Sequence, residues 1–374
     1  MKPYYEIESI KELKEVMSEM GSDHVFRHIA FQDIDLMAVN LEGYSFADCI
    51  FMSCNMTRDI ENRMDAKCTI FPGIDLPFRM FQNHLYDASS LYGNWSDSEN
   101  WSFEKCYDTE VYRHYKDEGT PAPDIKEAFA RSVHDFSMSD ALGDFLEGYD
   151  PKSVVAVMGG HSISRADDSY AKVAKISKKL TEEGKLMASG GGPGAMEATH
   201  LGAWMAGRTS DELEDAIDML KPYPTFRDGG WLEAAFEVMK KYPRGNFESL
   251  GIPTWFYGHE PASPFASKIA KYFDNSIRED TLLAISKGGI IYTPGSAGTM
   301  QEVFQDAAQN HYETWDHASP MVFLGESFFT QKVPVYSLLA ELSDRGIYKN
   351  LILSITDDPK EVVSSIINWL DQGV

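Results

Sequence analysis

The alternation of short apolar runs with helical patterns, from residue 152 onward, is the feature that most constrains this chain's fold. Strand-like runs occur at 154–158, 185–189, 254–257, 289–293, 321–324 and 351–355. Helical patterns follow at 166–183, from 195, partly within 208–250, at 265–286, after 299, from about 332 and at 359–370. Such alternation is typical of a parallel sheet with helices on both faces. We therefore predict an α/β chain with a Rossmann-like sheet over residues 151–374, preceded by an N-terminal extension over residues 1–150.

Glycine-rich turns follow several of the predicted strands, and two of them, Gly190–Gly194 and Pro294–Thr299, stand directly before helices. Glycine accepts positive φ and allows an anion to approach the backbone, and a helix N-terminus adds unpaired N–H groups. Neither turn continues into Gly-Lys-Ser/Thr, and neither forms a clean GxGxxG with an acidic ribose partner, which argues against P-loop NTPases and dinucleotide-dependent dehydrogenases. The turns predict a nucleotide or sugar-phosphate site at the carboxyl edge of the sheet.

These turns also carry a resemblance to a known family. SGGGPGAME (189–197) resembles the GGGxxGxM turn of the Lonely Guy family, and PGSAGTMQE (294–302) resembles its PGGxGTxxE motif. Arg278 stands at about the distance where that family carries a catalytic arginine. The resemblance implies a nucleoside 5′-monophosphate phosphoribohydrolase that forms a homodimer or a higher homo-oligomer. We expect no cofactor and no metal, because the sequence shows no metal-binding cluster and no lysine context for pyridoxal phosphate. Two departures, Ser296 for the second glycine and Glu279 where plant-type members have lysine, prevent transfer of the substrate preference.

The predicted site has three groups of residues. Glu302 and Arg278 are the catalytic candidates, since a carboxylate can stabilise an oxocarbenium-like transition state or activate water, and a guanidinium orients phosphate or ribose hydroxyls. Gly160, His161 and Ser162 are candidates for a base or ribose pocket. The predicted phosphate-binding and nucleotide-binding residues are Gly190, Gly191, Gly192, Gly194, Met196, Gly295, Ser296, Ala297, Gly298 and Thr299.

Two alternatives remain open at this point. Thr299-x-x-Glu302 is also a capping-box pattern, in which the glutamate only stabilises the helix start. A non-catalytic nucleotide sensor of the same superfamily would use the same pocket without turnover. His200 and His311 are predicted to be packed or solvated rather than catalytic.

The first 150 residues show a different periodicity. After a helical pattern at 7–20, large apolar residues recur at every fifth position, namely Phe26, Phe31, Leu36, Leu41, Phe46, Phe51 and Met56. This resembles a short pentapeptide-repeat coil, in which each side of a four-sided coil sends one residue to the centre. Two strands with accidental spacing are the alternative. Residues 58–150 give no catalytic signal and become helical from about residue 123.

Charge and composition limit the partners. The net charge of −24, most of it within residues 1–150, argues against binding a nucleic-acid polymer. The cysteines show no zinc-site spacing, the N-terminal residues lack the apolar core of a signal peptide, and no apolar run is long enough to span a membrane. We expect a cytoplasmic protein with a nucleoside monophosphate as its ligand.

Overall fold

The computed structural model describes residues 4–20, 24–95, 101–257 and 260–371. The chain forms two compact units, Met1–Leu85 with Lys116–Gly143 and Tyr86–Tyr115 with Asp144–Val374. Residues 86–115 therefore belong to the unit that contains the large sheet. The domain boundary that we predict between residues 150 and 151 stays a prediction.

The elements before the large sheet are short strands and a few helices. In chain order they are β1 (Tyr5–Ile7), α1 (Ile10–Glu19), β2 (Val25–Arg27), β3 (Ile29–Gln32), β4 (Ser45–Ala47), β5 (Ile50–Met52), α2 (Arg58–Glu61), β6 (Thr69–Phe71), α3 (Ala88–Tyr92), α4 (Tyr107–Glu118) and α5 (Ile125–Glu147).

The strands of the first unit form the predicted coil. Strand β2 pairs in parallel with β4, and β3 with β5, so that Phe26 lies opposite Phe46 and Phe31 opposite Phe51. Each partner stands twenty positions later, which is four sides of five residues. The rings stack at centroid distances of 5.3 Å for Phe26–Phe46 and 4.9 Å for Phe31–Phe51. All predicted core residues from Phe26 to Phe51 are buried, and Met56 is partly buried. The coil is confirmed, and accidental spacing is the wrong alternative.

The remaining elements build the large sheet and its helices. In chain order they are β7 (Val154–Met158), α6 (Asp168–Glu182), β8 (Leu186–Ser189), α7 (Ala195–Trp204), α8 (Ser210–Leu220), α9 (Trp231–Lys241), β9 (Ser249–Gly251), β10 (Lys268–Ile269), α10 (Asn275–Ile285), β11 (Ile290–Tyr292), α11 (Ala297–Tyr312), β12 (Pro320–Leu324), α12 (Val335–Asp344), β13 (Ile352–Thr356) and α13 (Pro359–Asp371).

The large sheet is parallel throughout and runs in the order β10-β9-β8-β7-β11-β12-β13. All residues of β7 and β12 are buried, as expected for strands covered on both faces. From β7 the chain moves outward through β8, β9 and β10, and then returns to β11 on the other side of β7. This reversal places the ligand crevice of a Rossmann-like fold beyond the carboxyl ends of β7 and β11. The predicted fold class is confirmed.

Two predicted elements are wrong in the region between residues 249 and 286. Residues 254–257 form no strand, since Thr254 makes only an isolated bridge and Trp255 Nε1 donates to Asp108 Oδ1 at 2.9 Å. The strands there are β9 and β10, and the helix predicted from 265 begins only at Asn275, after the N-cap Asp274. Aromatic residues at 255–257 gave a strand-like pattern, whereas the true strands are too short to give one.

Segment 86–115 joins the second unit through specific contacts. Tyr86 exchanges backbone hydrogen bonds with Ile269 of β10 at 2.9 and 2.7 Å. The buried Lys271 ammonium donates to Asp108 Oδ1 at 2.6 Å, and both side chains are almost fully buried. No helix within the described parts of the chain is both long and apolar enough to cross a membrane.

Candidate active site at the switch point of the sheet

Gly160, which follows β7, connects the two glycine-rich turns. Its N–H donates to the carbonyl of Pro294 at 3.1 Å, and its carbonyl accepts from the N–H of Ala195 at 3.3 Å. The turn after β8 and the turn after β11 therefore meet at the switch point of the sheet. The structure brings together all three groups of predicted site residues.

Tight packing accounts for several of the glycines. Gly194 has φ +71°, and a Cβ there would lie 2.5 Å from the Gly160 carbonyl oxygen. A Cβ at Gly295 would lie 2.1 Å from Thr299 Oγ1. Gly298 differs, because a Cβ there would meet no atom within 4 Å. The glycines at 194 and 295 are thus required by the fold alone, whereas Gly298 faces open space.

The Pro294–Thr299 turn presents a free helix N-terminus. Ser296 is the N-cap of α11 and makes no side-chain capping hydrogen bond, and Ser296, Ala297 and Gly298 are exposed. Among the described residues, none accepts a hydrogen bond from the backbone N–H of Ala297, Gly298 or Thr299. Unpaired N–H groups with the positive end of the helix dipole form an anion site.

The Gly190–Gly194 turn, in contrast, is buried and held by a hydrogen-bond network. The Gly191 N–H donates to Ser189 Oγ at 3.1 Å, and His200 bridges Ser189 Oγ at 2.8 Å and Ser249 Oγ at 3.0 Å. Burial lowers the pKa of His200 to about 3, so the imidazole is neutral. His200 is packed rather than catalytic, as predicted. His311 Nδ1 likewise accepts from the backbone N–H of Lys349 at 2.9 Å.

Met196 and Glu197 follow this turn and have different surroundings. A Cβ on Gly190 would lie 2.7 Å from Met196 Sδ, so the Met196 side chain packs over the turn. Glu197 is fully buried and accepts from Arg165 Nε at 2.9 Å and from the Tyr170 hydroxyl at 3.1 Å. The glutamate of this motif is therefore structural.

Arg278, on α10, contacts both the buried Gly190–Gly194 turn and the carboxyl groups of the site. Its Nε donates to the Ile252 carbonyl at 2.8 Å, and its Nη2 lies 3.5 Å from the Gly190 carbonyl. Its Nη1 lies 2.6 Å from Glu279 Oε1 and 3.9 Å from Glu302 Oε1. Arg278 is 8% exposed, so it is a fixed part of the site rather than a solvated helix residue.

Glu302 lies on the second turn of α11 with its side chain buried. Because Ser296 is the N-cap, Thr299 stands inside the first turn, and Thr299-x-x-Glu302 is not a capping box. The capping alternative is wrong. Burial raises the pKa of Glu302 to about 8; the charge of Arg278 acts in the opposite direction, and Glu279 adds to the increase. At neutral pH Glu302 is mainly protonated, so it can donate a proton.

Two further carboxyl groups, those of Glu260 and Glu279, lie near the predicted site residues without a sequence motif that indicates them. Glu260, in a loop that has no motif, lies 3.8 Å from His161 Nδ1. Burial raises the pKa of Glu260, opposed by His161, Arg278 and Arg227. Glu279 stands where plant-type members of the resembling family have lysine. No sequence pattern indicates that its side chain is buried against Arg278.

The base-pocket candidates are more open. The His161 side chain is 41% exposed, and its ring stands edge-on to Phe226 with a centroid distance of 6.4 Å. Ser162 is exposed, and Gly160 is buried between the turns. Within the described residues, no trio of histidine, cysteine or carboxylate donors gathers at this site in metal-binding geometry.

Comparison with known proteins gives weak similarities. No protein-family model and no curated protein matches the sequence. A molybdenum cofactor binding protein from Rippkaea orientalis is 15% identical, with a TM-score of 0.37, over 58% of this chain and 96% of that one. The molybdenum cofactor carrier protein from Chlamydomonas reinhardtii is 12% identical, with a TM-score of 0.34, over 58% of this chain and 98% of that one. At these values neither similarity supports an inference about this chain's ligand.

Proposed function

We propose that this chain hydrolyses the N-glycosidic bond of a nucleoside 5′-monophosphate and releases a free base and ribose 5-phosphate. The observation that carries the proposal is that the buried carboxyl group of Glu302 lies 3.9 Å from the buried guanidinium of Arg278, on the helix whose first N–H groups have no acceptor among the described residues. N-glycosidic cleavage needs an anchor for the phosphate, a proton for the leaving base and a carboxylate near the anomeric carbon. The N-terminus of α11, Glu302 and Arg278 would supply these groups.

The N-terminus of α11 is the proposed phosphate anchor. The backbone N–H groups of Gly298 and Thr299, with the Thr299 hydroxyl, would bind the phosphate oxygens, and Gly295, Ser296 and Ala297 would complete the turn. Support comes from the exposure of Ser296, Ala297 and Gly298, and from the backbone N–H groups of residues 297–299, which have no acceptor among the described residues. The buried turn would form the opposite wall with Gly190, Gly191, Gly192, Gly194 and Met196. Gly160, His161 and Ser162 would line the base or ribose pocket.

Glu302 would act first as an acid and then as a base. As the bond between C1′ and the base nitrogen breaks, its electron pair leaves with the base, and Glu302 transfers its proton to a ring nitrogen. Water then attacks C1′ and returns a proton to the Glu302 carboxylate, which restores the starting state. Arg278 would keep Glu302 and the Gly190 carbonyl in place, because its guanidinium contacts both.

The proposal is tested by incubating the protein with AMP, GMP, CMP, UMP and IMP and separating any free base by chromatography. We expect base release from at least one nucleotide, and E302Q should lower kcat by about 100-fold or more. E313Q, which changes an exposed glutamate just after α11, is the matched control and should leave kcat unchanged. Binding of nucleotides without base release would contradict the hydrolase and favour the sensor.

The oligomeric state, the ligand and the cellular location are part of the same proposal. We propose a homodimer or a larger homo-oligomer that takes a nucleoside monophosphate and no nucleic-acid polymer. We also propose a cytoplasmic location, which is supported by the free thiols of Cys49, Cys54, Cys68 and Cys106. Cell fractionation with an antibody against the chain would test the location.

A further inference from the structure

Glu279 places a second carboxyl group against the same guanidinium nitrogen as Glu302. Glu279 is 4% exposed, and its Oε1 lies 2.6 Å from Arg278 Nη1. The same nitrogen lies 3.9 Å from Glu302 Oε1. Helix α10 thus contributes an arginine and a glutamate at adjacent positions, and α11 contributes the second glutamate. One buried cation faces two buried carboxyl groups.

The charges of this cluster do not balance if both carboxyl groups are ionised. Arg278 supplies one positive charge, and among the residues that the structure describes a second buried carboxylate at this cluster would have no cation of its own. Tyr292 of β11 also faces Glu302, but its hydroxyl donates to Asp306 Oδ2 at 2.7 Å. Glu260 interacts with Arg278 from its loop and adds negative charge rather than positive. A proton on one carboxyl group removes the imbalance.

The hydrogen bonds of Glu279 indicate where that proton lies. Its Oε2 is buried, and no described group donates a hydrogen bond to it. The side chains of Glu279 and Glu302 are within hydrogen-bonding reach of each other. Two carboxylates cannot form such a bond, because both only accept. A proton on Glu302 supplies the donor that this hydrogen bond needs, and Glu279 Oε2 is the oxygen still able to accept it, because Glu279 Oε1 is paired with Arg278.

We infer that Glu279 and Glu302 share one proton, and that Glu279 is a positioning residue which keeps Glu302 protonated for transfer to the departing base. The chemical use of the proton rests on the proposed function, whereas the shared proton itself does not. Glu302 loses its proton to the base and regains one from the attacking water.

The pH dependence of turnover tests the role of Glu279. For the unmodified chain, kcat/KM should fall above a pH of about 8, as Glu302 loses its proton. E279Q removes the negative charge that holds the proton. The alkaline limb of its pH profile, where kcat/KM falls, should therefore begin about one pH unit or more lower. At higher pH this is a tenfold loss of kcat/KM per unit. E279D keeps the charge and should stay closer to the unmodified chain.

D280N is the matched control for E279Q. Asp280 is the next residue of α10, is exposed and contacts Gln305. The control should leave the alkaline limb where it is. If kcat/KM falls at the same alkaline pH in E279Q and D280N, the inference is overturned. A larger shift in E279D than in E279Q would also overturn it. If E279Q does not fold, E279D is compared with D280N: its shorter side chain withdraws the negative charge from Glu302, so a small downward shift of the alkaline limb is expected in E279D and none in D280N.

Infrared spectroscopy tests the shared proton without any substrate. The carbonyl stretch of a protonated carboxyl group should be present at pH 7 and absent from E302Q, and in E279Q it should disappear at a lower pH. The difference spectrum against E302Q is needed because burial also raises the pKa of Asp306, to about 7. Absence of the band at pH 7 would overturn the inference even if nucleotides are cleaved. A band that titrates as expected without base release from any nucleotide would overturn only the proposed function.

Discussion

At the scale of single residues, Glu302 shows what motif and position can predict and what they cannot. Its place after a glycine-rich turn, with Arg278 upstream, was sufficient to select both residues from the sequence. Its protonation was not predictable, because the pKa of about 8 depends on burial and on Glu279, which is 23 positions away in sequence. The sequence therefore predicts an ionised carboxylate at Glu302, whereas its burial in the structure favours the protonated form.

The raised pKa of Glu302 has a consequence for stability. Between a pH of about 4.5 and 8, the unfolded chain releases this proton while the folded chain retains it, so the free energy of unfolding falls by about 1.4 kcal/mol per pH unit for this group. E302Q removes the group. We expect its Tm to exceed that of the unmodified chain at pH 8 and to be similar near pH 4.5, measured by calorimetry. A lower Tm at pH 8 would mean that the carboxyl group stabilises the fold.

At the scale of elements, a strand or coil could be predicted when its apolar residues repeat at a fixed interval or follow one another without interruption. The coil and the strands β7, β11 and β12 were predicted because their buried residues recur at regular positions or form long apolar runs. Strand β11 is as short as β9, but its residues are Ile-Ile-Tyr, whereas β9 (Ser-Leu-Gly) and β10 (Lys-Ile) contain one large apolar residue each and are defined by pairing with neighbours. The aromatic residues at 255–257 have a strand-like pattern but form no strand. Trp255 is buried by packing with α4 rather than by strand pairing.

The coil gives a direct test at this scale. Phe31 is fully buried and contacts the rings of Phe51, Phe26 and Phe46 at 4.9, 5.5 and 5.8 Å between centroids. F31A should lower the free energy of unfolding of the first unit by about 3–5 kcal/mol, because it leaves a cavity among three rings. M37A, in the same coil at 52% exposure, should change it little. Urea denaturation followed by circular dichroism measures both, and equal effects would contradict a core organised around every fifth residue.

At the scale of the whole molecule, charge limits how an anion can be bound. With a net charge of −24 and an isoelectric point near 4.7, most of the surface repels phosphate. The proposed phosphate anchor therefore uses backbone N–H groups and a helix dipole, and the guanidinium of Arg278 is already engaged by carboxyl groups and carbonyls. A small monoanionic or dianionic ligand suits such a local site, whereas a polynucleotide would meet repulsion along its length.

The oligomeric state is the prediction that belongs to this scale. From the resemblance noted in the sequence, we expect two or more copies to associate, so light scattering should give at least twice the chain mass of 42.1 kDa. The measurement should be made at moderate salt, because like-charged copies repel each other less when screened. A mass equal to one chain across a tenfold range of concentration would contradict the expectation.

The hydrogen bonds of His200 have a consequence for how this site responds to its surroundings. With a pKa of about 3, the imidazole stays uncharged through the whole interval in which Glu302 titrates. The buried turn that it supports therefore keeps its shape while the neighbouring carboxyl group gains or loses a proton. A change of pH can therefore alter the protonation of Glu302 without altering the shape of the turn that would face the proposed ligand.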